Sequence, residues 1–159
     1  MFFVITQAMN AQDGSTCDEP LVITSMPYTH SGNTSDYGDN YDGDDVPPLA
    51  PGAITEGTSS YGFYLTGDDV VYSYTAGANG NITINTTNDD NWVGLFAFTG
   101  CPFESTVGYH TSTSGTSRSI PDLPVLAGET YYIVISTWAA PQSTDYTINI
   151  TGTDVGDGP

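Results

Sequence analysis

Short runs in which apolar and polar residues alternate recur along the chain and predict β-strands. In one of them Tyr72 and Tyr74 alternate with Ser73 and Thr75, so the segment has one apolar and one polar face. Strands of this kind are typical of an all-β domain. The predicted strands are LVIT from Leu21, GFYL from Gly62, DVVYSYT from Asp69, NITINTT from Asn81, WVGLFAF from Trp92, YYIVIST from Tyr131 and DYTINIT from Asp145.

The segments between these runs are rich in glycine, asparagine, serine and threonine. They include GANGN, TNDDN, TGCP, SGTS and LAGET, which are typical turn sequences. No window carries the apolar stripe of an amphipathic helix. The sequence therefore predicts a single all-β domain, an antiparallel β-sandwich of jelly-roll-like form.

Three segments depart from the pattern of strands and turns. Residues 1–16 form an apolar head, which indicates either a secretory signal or an assembly strand that pairs with another copy. From Thr29 to Ser60 no strand is predicted, so we expect a long functional loop or a poorly ordered one. Residues 17–152 are assigned to the sandwich and residues 153–159 to a linker or tail.

The formal net charge of −18 excludes two classes of partner. Nucleic acids and anionic membrane surfaces are bound by clustered lysine and arginine, and this chain has a single strong base, Arg118. The apolar part of the head, Phe2 to Ile5, is too short to span a bilayer, so no transmembrane segment is predicted. The acidity fits a secreted surface and also supplies oxygen ligands for divalent cations.

The stretch SDYGDNYDGD from Ser35, followed by Asp45, is the strongest candidate for a calcium site. Ca²⁺ takes six to eight oxygen ligands from flexible loops, and Gly38 and Gly43 allow the backbone to curl. The spacing is not that of an EF-hand. The predicted metal ligands are Asp36, Asp39, Asn40, Asp42, Asp44 and Asp45 with Asp68 or Asp69 from a neighbouring strand end, and further candidates are Asp89 and Asp90.

Aromatic residues in the predicted loops indicate a second kind of site. Exposed rings stack on sugar faces or anchor protein interfaces. Tyr37, Tyr41 and Trp138 are the predicted ligand-binding residues, and Tyr61 and Tyr109 lie in or near loops as well.

No motif predicts catalysis. His30 and His110 lie in loop-like contexts outside any HExxH pattern, and no GxSxG motif is present. Neighbouring acids such as Asp68 and Asp69 point to opposite faces of a strand, so they cannot by that pattern act on one glycosidic bond. The sequence therefore predicts a protein that is not an enzyme, with a small hydrolase as the less favoured alternative.

The blocks CDEPLVITSMPYTHSGNTSDYGDNY, GDDVVYSYT, LFAFTGCP and LAGETYYIVISTW, with the closing DYTINIT, resemble the pre-peptidase C-terminal (PPC-like) domains of modular secreted bacterial proteins. The resemblance covers roughly residues 17–152. It implies a β-sandwich without an active site of its own, attached to secreted peptidases, adhesins and other surface proteins. Binding to polysaccharide or protein surfaces is among the roles it implies.

Two cysteines, Cys17 and Cys101, leave two alternatives open. Two thiols in an exported chain often form one disulfide. In the domains that this chain resembles, a second cysteine often follows the GCP motif and another lies in the loop before the DDVVY strand; this chain lacks both, so two unpaired thiols are the alternative.

Together these features predict a secreted or cell-surface bacterial module for binding or adhesion, stabilised by structural calcium. Its expected partner is an extracellular polysaccharide or protein. The alternative is a subunit of an extracellular filament, in which the apolar head adds as a strand to further copies of the chain.

Overall fold

A computed structural model describes residues 13–152 of the chain, and within this range it contains ten β-strands. Residues 1–12 of the head predicted at 1–16 as a signal or assembly strand, and the tail at 153–159, lie outside the described residues. The strands are β1 Leu21–Ile23, β2 Tyr28–Asn33, β3 Leu49–Glu56, β4 Val70–Thr75, β5 Gly80–Asn88, β6 Val93–Thr99, β7 Ser105–Ser112, β8 Ser117–Val125, β9 Thr130–Thr137 and β10 Asp145–Gly152.

The strands form two sheets, which confirms the predicted β-sandwich. One sheet has six strands in the order β1-β4-β9-β6-β7-β3, and the other has four in the order β2-β10-β5-β8. Most pairs are antiparallel, but β1 pairs with β4 and β3 pairs with β7 in parallel. The expectation of an antiparallel sandwich therefore holds except at the two edges of the larger sheet.

The main core lies between the two sheets. Ile82 and Ile84 of β5 and Ile148 of β10 pack there against Leu95 of β6 and Ile133 of β9, and all five are fully buried. Polar residues alternate with these positions on β5 and β10, so the other face of the four-stranded sheet is wet. This alternation is the signal that the sequence carried for both strands.

A second core covers the outer face of the six-stranded sheet. Val71, Phe96 and Val134 alternate with residues of the main core, so they point to the opposite face of their strands. Tyr64 and Leu65, from a 3₁₀-helix over Tyr61–Leu65, pack onto them from the connecting segments. The central strands of this sheet are buried on both faces for this reason.

Six of the predicted strands are confirmed, in part or in full, as β1, β4, β5, β6, β9 and β10. The strand predicted for GFYL from Gly62 is wrong, because this segment forms the 3₁₀-helix. The expectation of no strand between Thr29 and Ser60 is also wrong, since most of β2 and all of β3 lie there. Strands β7 and β8 were not predicted.

Arg118, the only strong base of the chain, is 1% exposed and holds the connection between β7 and β8, which lie in different sheets. Its guanidinium donates to backbone carbonyl oxygens at Val93 (2.7 Å), Ser112 (2.9 Å) and Ser117 (2.7 Å), and also at Ser114 and Gly115. A planar fork with five N–H donors can satisfy several carbonyls at once. The base is thus used inside the fold and leaves the acidic surface without a positive counterpart.

Candidate functional site

Asp69 is the centre of the candidate metal site. It directly precedes β4 and is fully buried. Its Oδ2 accepts hydrogen bonds from the backbone N–H groups of Asn40 (2.9 Å) and Tyr41 (3.0 Å), and its own N–H donates to the carbonyl oxygen of Gly38 (2.9 Å). The middle of the acidic stretch therefore folds over a carboxylate that comes from a different part of the chain.

The other carboxylate oxygen of Asp69, Oδ1, is buried and has no hydrogen-bond partner within the described chain. Burial raises the pKa of Asp69 to about 7, against the effect of the two N–H bonds that favour the ionised form. The carboxylates of Asp39 and Asp68 raise this pKa further. A buried acceptor without a donor, beside two more acids, is an arrangement that a hard cation would satisfy.

Gln142 links the two acids that accompany Asp69. Its Nε2 lies 3.4 Å from Oδ2 of Asp39 and 3.3 Å from Oδ1 of Asp68. The backbone carbonyl of Gln142 also accepts from the N–H of Asp68, at 2.7 Å. The connection between β9 and β10 therefore contacts Asp39 and Asp68. These two acids lie close enough to Asp69 to raise its pKa, but the oxygens of the three carboxylates do not all come within 4.8 Å of one another.

The remaining predicted ligands are used differently. Asp42, Asp44 and Asp45 belong to a 3₁₀-turn over Gly43–Asp45 and its N-cap. Oδ1 of Asp42 accepts from the N–H of Asp44, and Oδ2 of Asp45 accepts from the N–H of Asp42, so these carboxylates form a capping box. Asp36 lies exposed in a 3₁₀-turn of its own. The acidic stretch is thus divided between a metal candidate and a local capping motif.

The other acidic candidates, Asp89 and Asp90, are not among the charges that raise the pKa of Asp69. Asp89 and Asp90 directly follow β5. The backbone N–H of Asp89 donates to the carbonyl oxygen of Asp145, and that of Asp90 donates to the hydroxyl of Thr144, at the start of β10. Within residues 13–152, the one group of three acidic, histidine or cysteine side chains close enough to share an ion is Cys17, Asp18 and Cys101. Its two cysteines form a disulfide, with Cα atoms 5.6 Å apart, so they are not thiolate ligands.

Of the predicted ligand-binding aromatics, Tyr37 and Tyr41 are partly engaged in the fold. Tyr37 is half-buried against the main core, beside Gly14. The hydroxyl of Tyr41 accepts a 2.7 Å bond from the N–H of Cys17, and its ring lies 4.8 Å from that of Phe103. Both rings are partly buried, as Trp138 is, and part of Tyr41 lines a cleft on the surface.

Trp138, itself partly buried, adjoins two exposed rings, and we call the three the aromatic cluster: Phe63, Trp92 and Trp138. The ring of Trp138 lies 5.1 Å from Phe63 and 5.4 Å from Trp92, and the buried Tyr64 supports it from below at 5.2 Å. Phe63 is 55% and Trp92 38% exposed. Two exposed rings beside the partly buried Trp138 form an apolar surface of the type that binds partners.

The backbone at Trp92 holds its ring in this cluster. Trp92 has a φ of 60°, in the left-handed region that a bulky residue seldom adopts. Its carbonyl oxygen accepts a 2.9 Å bond from the N–H of Trp138, which ties the two loops together. Strained backbone of this kind is frequent at functional sites. The sequence pattern did not reveal Phe63 or Trp92, because both lie in segments predicted as strands.

Both histidines have partners in the fold. Nδ1 of His30 lies 2.7 Å from the hydroxyl of Tyr72, and Nδ1 of His110 accepts from the N–H of Ser119 at 2.9 Å. The contacts of the two rings are with separate strands, β4 and β8, so they do not form a shared site.

Comparison with solved structures supports the fold. The chain is similar to the pre-peptidase C-terminal domain of a collagenase from Bacillus anthracis, with a TM-score of 0.53 and 13% identity over 84% of this chain and 95% of that one. This confirms, for the fold, the resemblance that the sequence indicated. No protein-family model matches the chain, and no curated protein matches its sequence.

Two further likenesses are weaker. A periplasmic inhibitor of g-type lysozyme, PliG from Aeromonas hydrophila, matches with a TM-score of 0.49 and 10% identity over 84% of this chain and 96% of that one. A carbohydrate-binding module CBM36 in complex with calcium and xylotriose matches with a TM-score of 0.32 and 17% identity over 54% of this chain and 73% of that one. Neither likeness is strong enough to support a functional argument. Among residues 13–152 the structure has no helix long and apolar enough to cross a membrane.

Proposed function

We propose that this chain is a non-catalytic, secreted or cell-surface binding module whose aromatic cluster contacts an extracellular polysaccharide or protein surface. The aromatic cluster, with Phe63 and Trp92 exposed beside Trp138, is the observation that carries the proposal. A neutral polysaccharide is the favoured partner, because rings stack on the apolar faces of sugars and a net charge of −18 repels acidic polymers.

Binding is tested by removing the ring that supports the fold least. Phe63→Ala leaves the scaffold in place because Phe63 is 55% exposed, and Leu126→Ala is a matched control at 56% exposure outside the cluster. Wild-type protein and both variants are screened against neutral polysaccharides and extracellular matrix proteins by affinity electrophoresis and surface plasmon resonance. We expect Phe63→Ala to weaken retention about tenfold or more, as truncation of a central aromatic contact does. Equal retention of all three proteins would contradict the assignment.

We further propose that Ca²⁺ binds at Asp39, Asp68 and Asp69 and orders the loop from Gly38 to Tyr41. The buried Oδ1 of Asp69 without a donor supports this, as do the two neighbouring acids that share Gln142. Ca²⁺ would supply positive charge to three carboxylates that otherwise repel one another.

Calorimetric titration with Ca²⁺ tests this site directly. Asp69→Asn is expected to abolish the binding isotherm, whereas Asp44→Asn, in the capping turn, retains it. If Asp44→Asn lost calcium binding and Asp69→Asn kept it, the ion would instead bind at the capping turn of the acidic stretch.

The alternative function, a filament subunit, is favoured by one property of β2. This edge strand pairs with β10 over six residues without a register shift, whereas the edge strands β3 and β8 contain prolines and irregular register. A regular edge can accept a further strand. Size-exclusion chromatography of the chain with and without residues 1–12 tests this function, because assemblies that survive removal of the head would rule that segment out as the joint.

A further inference from the structure

A second surface, which shares no residue with the aromatic cluster, forms a cleft of about 400 Å³ beside the disulfide. We call it the acidic cleft, lined by Tyr41, Asp44, Asp45, Pro102, Phe103 and Glu104. Its floor is aromatic, and its rim carries three carboxylates. The proposed calcium site and the aromatic cluster do not account for this combination.

The floor of the acidic cleft is rigid. The ring of Phe103 lies 4.8 Å from that of Tyr41 and 4.4 Å from that of the fully buried Phe98. The hydroxyl of Tyr41 is held by the N–H of Cys17, and Cys17 is bonded to Cys101, two residues before Phe103. Both rings are therefore fixed to one disulfide, and a ligand would meet a surface that is already formed.

The potential inside the acidic cleft is negative. Asp44, Asp45 and Glu104 are all exposed at its rim. The pKa of Tyr41 is raised by burial and then by the carboxylates of Asp69, Asp18 and Asp45, although its bond to the N–H of Cys17 lowers it. The single strong base of the chain, Arg118, is 1% exposed and bound to carbonyl oxygens. No side chain of the fold is available to balance the charge of the rim.

We propose that the acidic cleft receives an arginine side chain from a different protein. A guanidinium group stacks flat on aromatic rings and bonds to carboxylates in a forked geometry, which matches a floor of Tyr41 and Phe103 beneath a rim that includes Glu104. Lysine carries a compact charge that uses only part of this surface. A second copy of this chain cannot supply the group, since it has no lysine and its one arginine is buried.

The probe for this proposal is the blocked tripeptide acetyl-Gly-Arg-Gly-amide, titrated into the full chain at low salt and followed by NMR shift changes and calorimetry. The matched controls are the same peptide with citrulline, which keeps the shape and loses the charge, and with lysine. We expect the arginine peptide to bind about tenfold more tightly than the citrulline peptide, from ring and carboxylate contacts together. Shift changes should centre on Tyr41 and Phe103.

Two variants separate the cleft from the general charge of the surface. Glu104→Gln removes a rim carboxylate, and Glu56→Gln removes an exposed acid on β3 outside the cleft, so both change the net charge equally. We expect Glu104→Gln to weaken arginine binding about threefold to fivefold and Glu56→Gln to leave it unchanged. Equal binding of the arginine, lysine and citrulline peptides, absence of binding at millimolar concentration, or equal effects of the two variants would overturn the proposal.

Discussion

Asp69→Asn is the substitution that tests most directly how Asp69 holds the acidic stretch in place. An asparagine Oδ1 can accept the two bonds that Oδ2 of Asp69 receives from the N–H groups of Asn40 and Tyr41. The amide group then replaces the buried oxygen that has no partner. The substitution therefore keeps the two hydrogen bonds and removes the buried charge, and it places an amide donor where the protonated acid would carry its O–H.

The expected magnitude follows from the pKa of Asp69, which burial raises from 3.8 to about 7. The folded state binds the proton of Asp69 more tightly than the unfolded state does. Protonation of Asp69 therefore stabilises the fold, and this effect is complete below about pH 4. It is lost as the pH rises toward 7. At about 1.4 kcal/mol per pH unit, the full difference corresponds to about 4 kcal/mol, which is an upper value for calcium-free protein. Asp39 and Asp68, which face the same carboxylate, contribute to it.

The assay is urea unfolding of the wild type and Asp69→Asn between pH 4 and pH 8, in EDTA and in millimolar calcium. In EDTA we expect equal stability at pH 4 and a more stable variant at pH 8, by up to about 4 kcal/mol. In calcium at pH 8 the wild type should gain about 2.7 kcal/mol at a concentration one hundred times the dissociation constant, and the variant should gain nothing.

Two results would refute this reasoning separately. Identical pH profiles of the two proteins in EDTA would show that the buried carboxylate carries no desolvation cost. A calcium response of Asp69→Asn equal to that of the wild type would remove Asp69 from the metal site. Asp44→Asn, an exposed acid in the capping turn, is the control and should follow the wild type in both conditions.

Three further predictions concern the scaffold. Arg118→Lys should lower the free energy of unfolding by about 3 kcal/mol in urea titrations, because an ammonium group cannot reach all the carbonyls that the guanidinium satisfies; unchanged stability would show that water replaces it. Replacing Cys17 and Cys101 together by serine should cost about 4 kcal/mol, since the disulfide closes a loop with a sequence separation of 84, and reduced wild type should show the same loss. Gly94→Ala should lower the free energy of unfolding by about 2 kcal/mol in thermal unfolding, because the new Cβ would lie 2.7 Å from the Cβ of Tyr64. A smaller loss would mean that the 3₁₀-helix that carries Tyr64 moves to make room.

The strands that sequence patterns revealed and those they missed differ in their place in the sheets. The central strands β4, β5, β6, β9 and β10 carry clear apolar patterns because at least one of their faces is buried. Three of the four missed strands, β2, β3 and β8, lie at sheet edges. Edges tolerate proline and glycine, and β3 and β8 contain both prolines and irregular register. Such residues are read as turns in a sequence.

The acidic stretch shows a similar limit at the level of the site. The sequence indicated oxygen ligands between Asp36 and Asp45, but a carboxylate that binds an ion and one that caps a turn have the same composition. Asp42 and Asp45 satisfy backbone N–H groups of their own turn. Asp39 instead meets Asp68 and Gln142, and the role of Gln142 depends on the path of the β9–β10 connection. Only the folded backbone separates these two uses.

The disulfide also decides how the module would respond to mechanical load. If residues 13 and 152 are pulled apart, tension passes from Cys17 directly to Cys101, and the intervening chain with a separation of 84 is not extended. At about 3.4 Å per residue, this withholds about 290 Å of extension. That protected segment contains strands β1 to β6, the acidic stretch, Phe63 and Trp92. Under force the aromatic cluster would lose Trp138, which lies between β9 and β10, while Phe63 and Trp92 stay within the protected segment. Single-molecule stretching with and without reductant would measure this behaviour.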